Sequence, residues 1–269
     1  MARQPDHPPP PPVVQWLAIR YAKRGRLRFT SHRDFARAFE RALRRGGLPM
    51  GYSAGFTPHP KVSYLGAAPT GVASEAEYVE IGLAEARDPD DVRRDLDAAL
   101  PPGLDILTIQ AAAHRGLADR IDASYWRVEL PNGEQPAVAS AIERFLALET
   151  APVDRLMKDG KRTVDTRAAV VGMAIARDGR SSDADAQWHG DNAPCAIIDM
   201  VVRHTTPAVR PDDVLTALRQ AAALSTPVTP LVTRLAQGRL DEALPAPGEL
   251  PRLADPLAPD AVATGLPPE

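Results

Sequence analysis

Arg33, Arg37, Arg41 and Arg44 recur at three- and four-residue spacing. On a helix they fall within about 80° of one another, with Arg45 about 40° further round. Arginine suits phosphate because its guanidinium stays charged and bonds bidentately. Like charges at this spacing repel one another and weaken an isolated helix, and a solvated face more often mixes signs. The pattern fits a rail for an anionic polymer; the structural alternative is a solvated helix in an arginine-rich chain. Arg26 and Arg28, with Lys23 and Arg24 before them, extend the patch, and Lys61 follows it. His32 opens the basic run, and His59 sits in the turn Pro58-His59-Pro60. Either imidazole can act as a general base near neutral pH. With Ser31 and Ser53 close by, metal-independent RNA cleavage is one chemistry open to this set; a cap and a packed ring are the structural alternatives. Tyr52, Ser53, Phe56, His59, Lys61, Ser63 and Tyr64 interleave aromatics, cations and hydroxyls. That mixture suits stacking and phosphate bonds to single-stranded RNA. The alternative places Phe56 and Tyr64 in the core around a rigid turn.

The charge is local. From Arg20 to Lys61 there are 11 basic residues and two acids, whereas the other residues carry 21 basic and 33 acidic groups. A net charge of −3 therefore hides a polarised molecule, which bears on partners rather than on fold. The 269 residues are 44% hydrophobic but contain no apolar run long enough to span a membrane. The first residues lack the apolar segment of a secretion signal, and a cytoplasmic protein is expected. One cysteine, Cys195, excludes a disulfide framework within the chain. No phosphate loop, dinucleotide fingerprint or metal-ligand spacing is present, so no cofactor and no metal are expected.

The elements that must position these residues form a pattern used twice. A strand-like run over 16–31 is broken at Lys23–Gly25. Apolar residues Phe35, Ala38, Phe39, Ala42 and Leu43 at helical spacing predict a helix from Arg33 to Arg45. Ser31 and Asp34 form a capping pair at its start, and Gly46, Gly47 and Pro49 stop it. Two extended pieces, a second helix at Asp88-Pro89 and a closing strand complete β-α-β-β-α-β. The same order recurs after Ser124. The expected fold class is α+β, with tandem ferredoxin-like domains. A disordered Pro-rich tail is expected over 1–13, a basic domain over 14–118 and a second domain over 122–239 carrying a mobile loop at 177–194. A disordered Pro/acidic tail is expected over 240–269. Asp165 and Arg167 are expected to form a structural tie, and Cys195 to be a small buried thiol in a strand.

The stretch RYAKRGRLRFTSHRDFARAFERALRRGGLPMGYSAGFTPHPKVSY resembles the radical-SAM-linked protein family, a domain of unknown function. The likeness rests on Ser31-His32 with Asp34, the FERALRRGGLP helix and the run from Tyr52 to Pro60, and it continues more weakly to TRLAQG at 233–238. It implies a domain fused behind, or encoded beside, a radical SAM protein, and no assigned reaction. The chain lacks the three-cysteine motif of those enzymes, so it resembles the separately encoded partner. The tandem layout is also similar to CRISPR repeat-processing endonucleases, at the level of fold alone. The expectation is an RNA-binding accessory protein that presents rRNA or tRNA to a radical SAM partner. Arg26, Arg28, Arg33, Arg37, Arg41, Arg44 and Lys61 would meet phosphates, and Ser31, His32, Tyr52, Ser53, Phe56, His59 and Ser63 would set specificity. The alternatives are a metal-independent endonuclease using His32 or His59, and a protein adaptor that binds no RNA.

Overall fold

The computed structural model describes residues 10–54, 56–112, 115–157, 160–176, 195–226, 228–241, 243, 245 and 249–258. Residues 1–9 of the expected N-terminal tail and the expected loop at 177–194 lie outside the described residues. The chain builds β1 (Gln15–Lys23), α1 (His32–Arg45), β2 (Val62–Leu65), β3 (Ala73–Leu83), α2 (Pro89–Ala99) and β4 (Ile106–Ala112). It continues with β5 (Ala123–Pro131), α3 (Gln135–Leu146), β6 (Pro152–Met157), β7 (Gly160–Asp165) and α4 (Thr166–Ala169). Then come β8 (Val170–Ile175), β9 (Cys195–Arg203), α5 (Pro211–Ala221), β10 (Leu231–Leu240) and β11 (Leu253–Ala254). The fold is mixed α+β, dominated by one large, mostly antiparallel sheet.

Its path runs β4-β1-β3-β10-β5-β9-β8, with β2 added beside β3 and β11 beside β10. Within the first half the neighbours are β4-β1-β3-β2, all antiparallel. Within the second they are β10-β5-β9-β8, also antiparallel. Between the halves, a short parallel pairing of Thr233 and Arg234 with Ala73 and Ser74 joins β10 to β3. We call this line the seam. It is the one parallel contact in the sheet path among the described residues, and it fuses the two halves into a single sheet.

Alternation sets the layers. Leu17, Ile19 and Tyr21 of β1 and Val79, Ile81 and Leu83 of β3 bury under α1 and α2. Trp126, Val128 and Leu130 of β5, with Ile198, Met200 and Val202 of β9, bury among side chains of α3 and α5. On the opposite face Ala18, Ala76 and Tyr78 are covered by Leu117 and Leu257. Leu257, and β11 on β10, correct the expectation of a disordered tail over 240–269: this part of it packs. Gly238 is required there, because a Cβ on it would come within 1.9 Å of the Ala254 carbonyl oxygen.

Two further departures concern local structure. Residues Gly25–Phe29, expected to be extended, form a 3-10 turn. The hairpin β6–β7 makes its own two-stranded sheet between α3 and β8.

Candidate nucleic-acid interface

The basic helix forms as its sequence dictates. Ser31 is the N-cap: its hydroxyl accepts from the Asp34 amide at 3.2 Å and donates to the Asp34 carboxylate at 2.7 Å. At the other end Gly47, at φ 61°, donates to the Arg44 carbonyl, and Leu48 donates to that of Leu43. These two bonds are a Schellman stop, which needs a left-handed residue that glycine supplies without strain. Phe35, Phe39, Ala42 and Leu43 are buried. Phe35 stacks on Tyr21 with centroids 4.3 Å apart, and Tyr64 meets Phe35 and Phe39 edge-on at 5.9 and 6.2 Å. The aromatic packing fixes the roll of the helix, so the arginines point outward.

Arg33, Arg37, Arg41, Arg44 and Arg45 are exposed, and none forms an ion pair among the described residues. The contrast with α2, in the same half, is informative. There Arg94 pairs with Asp91 at 2.8 Å and lies 3.8 Å from Asp95, and Arg87 reaches Asp95 at 3.5 Å. Arginines on and beside α2 are thus paired with its acids, whereas on α1 neither Asp34 nor Glu40 forms an ion pair with an arginine among the described residues. The repulsion on α1 amounts to about 0.2–0.5 kcal/mol per four-residue pair, and no nearby acid in the described structure offsets it by pairing. Arg26 is exposed on the 3-10 turn before the helix.

Other members of the sequence-derived patch have different work. Arg28 is buried and donates from Nε to the Gly71 carbonyl at 2.8 Å, so its assignment as a phosphate contact is corrected to a loop anchor. Lys23 is buried, and its Nζ donates to the Ala68 and Pro69 carbonyls at 3.2 Å each. Burial pushes the Lys23 ammonium below its ordinary range. Arg24 pairs with Glu75, and with Asp105 at 2.9 Å. Lys23 and Arg28 together pin the loop between β2 and β3, whose Ala68 and Val72 enter the core of the second half.

The loop after α1 is a closed hairpin. Tyr52 bridges Pro60; the Ser53 amide donates to the His59 carbonyl at 2.9 Å, and the His59 amide donates to the Ser53 hydroxyl at 3.0 Å. Phe56 is 80% exposed and Tyr52 40%, which corrects the alternative of a core Phe56; His59 is exposed and Lys61 half-buried. Tyr64, by contrast, packs partly buried against the α1 core. His32 is exposed at the start of α1 and meets Tyr64 edge-on at 5.2 Å. His32 opens α1 against Tyr64 and His59 lies in the loop closed on Ser53, and no contact among the described residues joins the two rings. Ser63 projects from β2 away from the helices and accepts from Arg115 at 3.0 Å, so it does not join the loop group.

Phe29 is 65% exposed in the 3-10 turn, with the Arg28 guanidinium 6.0 Å from its ring centre. Sequence reasoning passed over it because it lies in a run that alternates like a strand. The seam was also missed. Arg234 forms an ion pair with Glu77, with side chains 4% and 2% exposed, and its guanidinium lies 5.3 Å from the Trp126 ring. Glu77 also accepts from the Ala68 amide at 3.1 Å, and Gln237 donates to the Ala76 carbonyl at 2.6 Å. The TRLAQG run is thus the joint between the halves.

In the second half, Asp165 accepts from the amides of Ala151 and Arg167, while the Arg167 guanidinium donates to the Leu146 and Val170 carbonyls. Both are structural ties, though not to each other's side chains. Cys195 is half-buried at the start of β9, and burial pushes its thiol up. Among the described residues no three His, Cys, Asp or Glu gather where they could hold a metal ion. No helix among them is long and apolar enough to cross a membrane.

The pattern of a family described as "Uncharacterized protein conserved in bacteria (DUF2344)" matches residues 17–211, well over half of the chain. The chain belongs to the DUF2344 family. The part matched holds β1 through the first residue of α5, including the basic helix, the aromatic loop and the loop anchors Lys23 and Arg28, while Arg234 and Gln237 of this DUF2344 protein lie beyond it. No curated protein matches the chain. Among solved structures, one described as an unknown protein from Galdieria sulphuraria is similar at 12% identity over 82% of this chain and 98% of that one. Its TM-score of 0.22 is too low to carry any argument.

Proposed function

We propose that this protein binds RNA along the exposed face of α1 and presents it, in the cytoplasm, to a separately encoded radical SAM enzyme. The observation that carries the RNA part is the row Arg33, Arg37, Arg41 and Arg44, exposed and without acidic partners among the described residues. A polyanion supplies the ion pairing that the arginines of this helix do not find within the described structure and that Arg94 of α2 does. The radical SAM partner rests on the sequence resemblance alone. In this reading each half is a ferredoxin-like unit and the pair is in tandem. The repeated antiparallel orders β4-β1-β3-β2 and β10-β5-β9-β8 support that.

The test is binding of the purified protein to total cellular RNA and to DNA at two salt concentrations, beside the variant R37E/R41E/R44E. RNA binding should weaken steeply with salt, and the variant should lose it, with the logarithmic salt slope shallower by about two if three phosphate contacts go. Absence of RNA binding by the intact protein would sink the proposal in favour of a protein adaptor. RNA cleavage abolished by His32→Ala or His59→Ala, with binding retained, would replace it with a nuclease.

A further inference from the structure

The chain is poor in aromatics, with five phenylalanines and five tyrosines. Phe35, Phe39 and Phe145 are no more than 3% exposed, as are the largest core side chains generally. Among the described residues the exposed aromatics are Phe29, Tyr52 and Phe56, and all three fall in the segment that carries the unpaired arginines. Leaving a phenylalanine in water forgoes the roughly 1.5–3 kcal/mol that its burial yields, and the described structure offers no packing return at Phe56.

Their places are set by the topology. Phe29 precedes α1 at the end of the sheet where Lys23 pairs with Ser74. Tyr52 and Phe56 follow α1 at the other end, just past the bridge of Met50 to Leu83. Ser74 and Leu83 lie on the same strand, nine residues apart, a rise of about 30 Å. The arginine row of α1 runs between these ends. Neither aromatic site is floppy: the Tyr52–Pro60 loop is closed by backbone bonds, and Phe29 sits over Gly71 beside the anchored Arg28.

We infer that the ligand of this face is unpaired RNA, held by its phosphates along α1 and stacked by its bases on Phe29 at one end and on Phe56 with Tyr52 at the other. This deepens the RNA-binding proposal and rests on it. Phosphate contacts alone do not distinguish strand from duplex, whereas a stacked base must first leave its own helix. A span near 30 Å places the footprint toward the short end of the ~4–16 nucleotides seen for single-strand grooves.

The experiment uses the full chain and a fluorescent 12-nucleotide RNA of mixed sequence in three forms: single-stranded, annealed to its complement, and with abasic sites throughout. Phe29→Leu with Tyr52→Leu and Phe56→Leu keeps apolar bulk but removes all three π faces, and all three positions are exposed, so thermal melting should not change. The intact protein should bind the single strand at least about tenfold more tightly than the duplex or the abasic strand, since one stacked base is worth roughly five- to a hundredfold. The triple leucine variant should lose that preference, binding all three forms alike with its salt slope unchanged. Equal binding of all three forms by the intact protein would overturn the stacking inference and leave the RNA reading standing. So would full single-strand affinity in the leucine variant. Failure of the intact protein to bind any form would overturn both.

Discussion

Two sets of cations in this protein end in opposite environments. On α1 the arginines stand in water without acidic partners among the described residues. At and around the seam, Lys23, Arg28 and Arg234 are buried, bonded to loop carbonyls or paired with Glu77. The comparison teaches that positive charge in this protein has two uses. Buried, it holds the two halves and the loop between β2 and β3 in place, because a desolvated cation tolerates little freedom. Exposed, it adds nothing to the fold and slightly opposes it. A cation needed by the fold is therefore separated physically from one available to a partner.

The largest expected effect breaks the buried side. Glu77→Ala leaves Arg234 desolvated and unpaired, which should destabilise the protein by about 3–5 kcal/mol and lower its melting temperature by roughly 10 °C. A shift under about 2 °C in a calorimetric scan would show that the seam tolerates the lone charge and that the contrast is wrong. On the exposed side, R37E/R41E/R44E should melt within about 2 °C of the parent while its RNA affinity at low salt falls by two orders of magnitude or more. A large melting shift there would mean that the arginines serve the fold after all.

The remaining predictions use pH, which should act through the buried region. Burial pushes the Tyr78 phenol up to about 12, and raises Tyr21 and Tyr64 as well. In the unfolded chain these groups ionise near 10. Their contribution is complete below pH 10 and is lost as pH rises through 12, so urea midpoints should fall from pH 10 upward. Lys23, whose pKa is lowered, acts in the opposite sense as pH approaches 10.5. Tyr78→Phe should make the alkaline decline shallower, and an unchanged decline would remove Tyr78 from the account. The smallest effect is expected at His204, whose ring lies 2.8 Å from the Ser124 hydroxyl. Desolvation, then the Arg234 guanidinium, holds this imidazole below 6.5. Its contribution is complete above pH 6.5 and is lost as pH falls through the depressed value. His204→Gln should therefore flatten the loss of stability between pH 7 and 5, and a parallel curve would contradict this.

Legibility followed the range of the interactions. α1 was readable with its cap and its stop, because Ser31, Asp34, Gly46 and Gly47 act within a turn or two of the helix. So was α2, where Asp88 accepts from the Asp90 amide and Pro89 opens the helix. The arginine row was readable too, since helical periodicity tells inside from outside. Arg28 and Phe29 were not. They fall in a 3-10 turn whose rotation inverts what strand alternation implies, placing the arginine inside and the phenylalanine outside.

The amino-acid sequence by itself determined the local elements, their order, the polarised charge and the face of α1 that meets solvent, since each is set by residues a few positions apart. The tertiary structure alone decided which cations are free. Whether Arg234 reaches Glu77 across 157 positions depends on β10 finding β3, a pairing that no local periodicity encodes. It also decided that the two halves share one sheet, because joining them buries the TRLAQG residues against a strand from the far end of the chain.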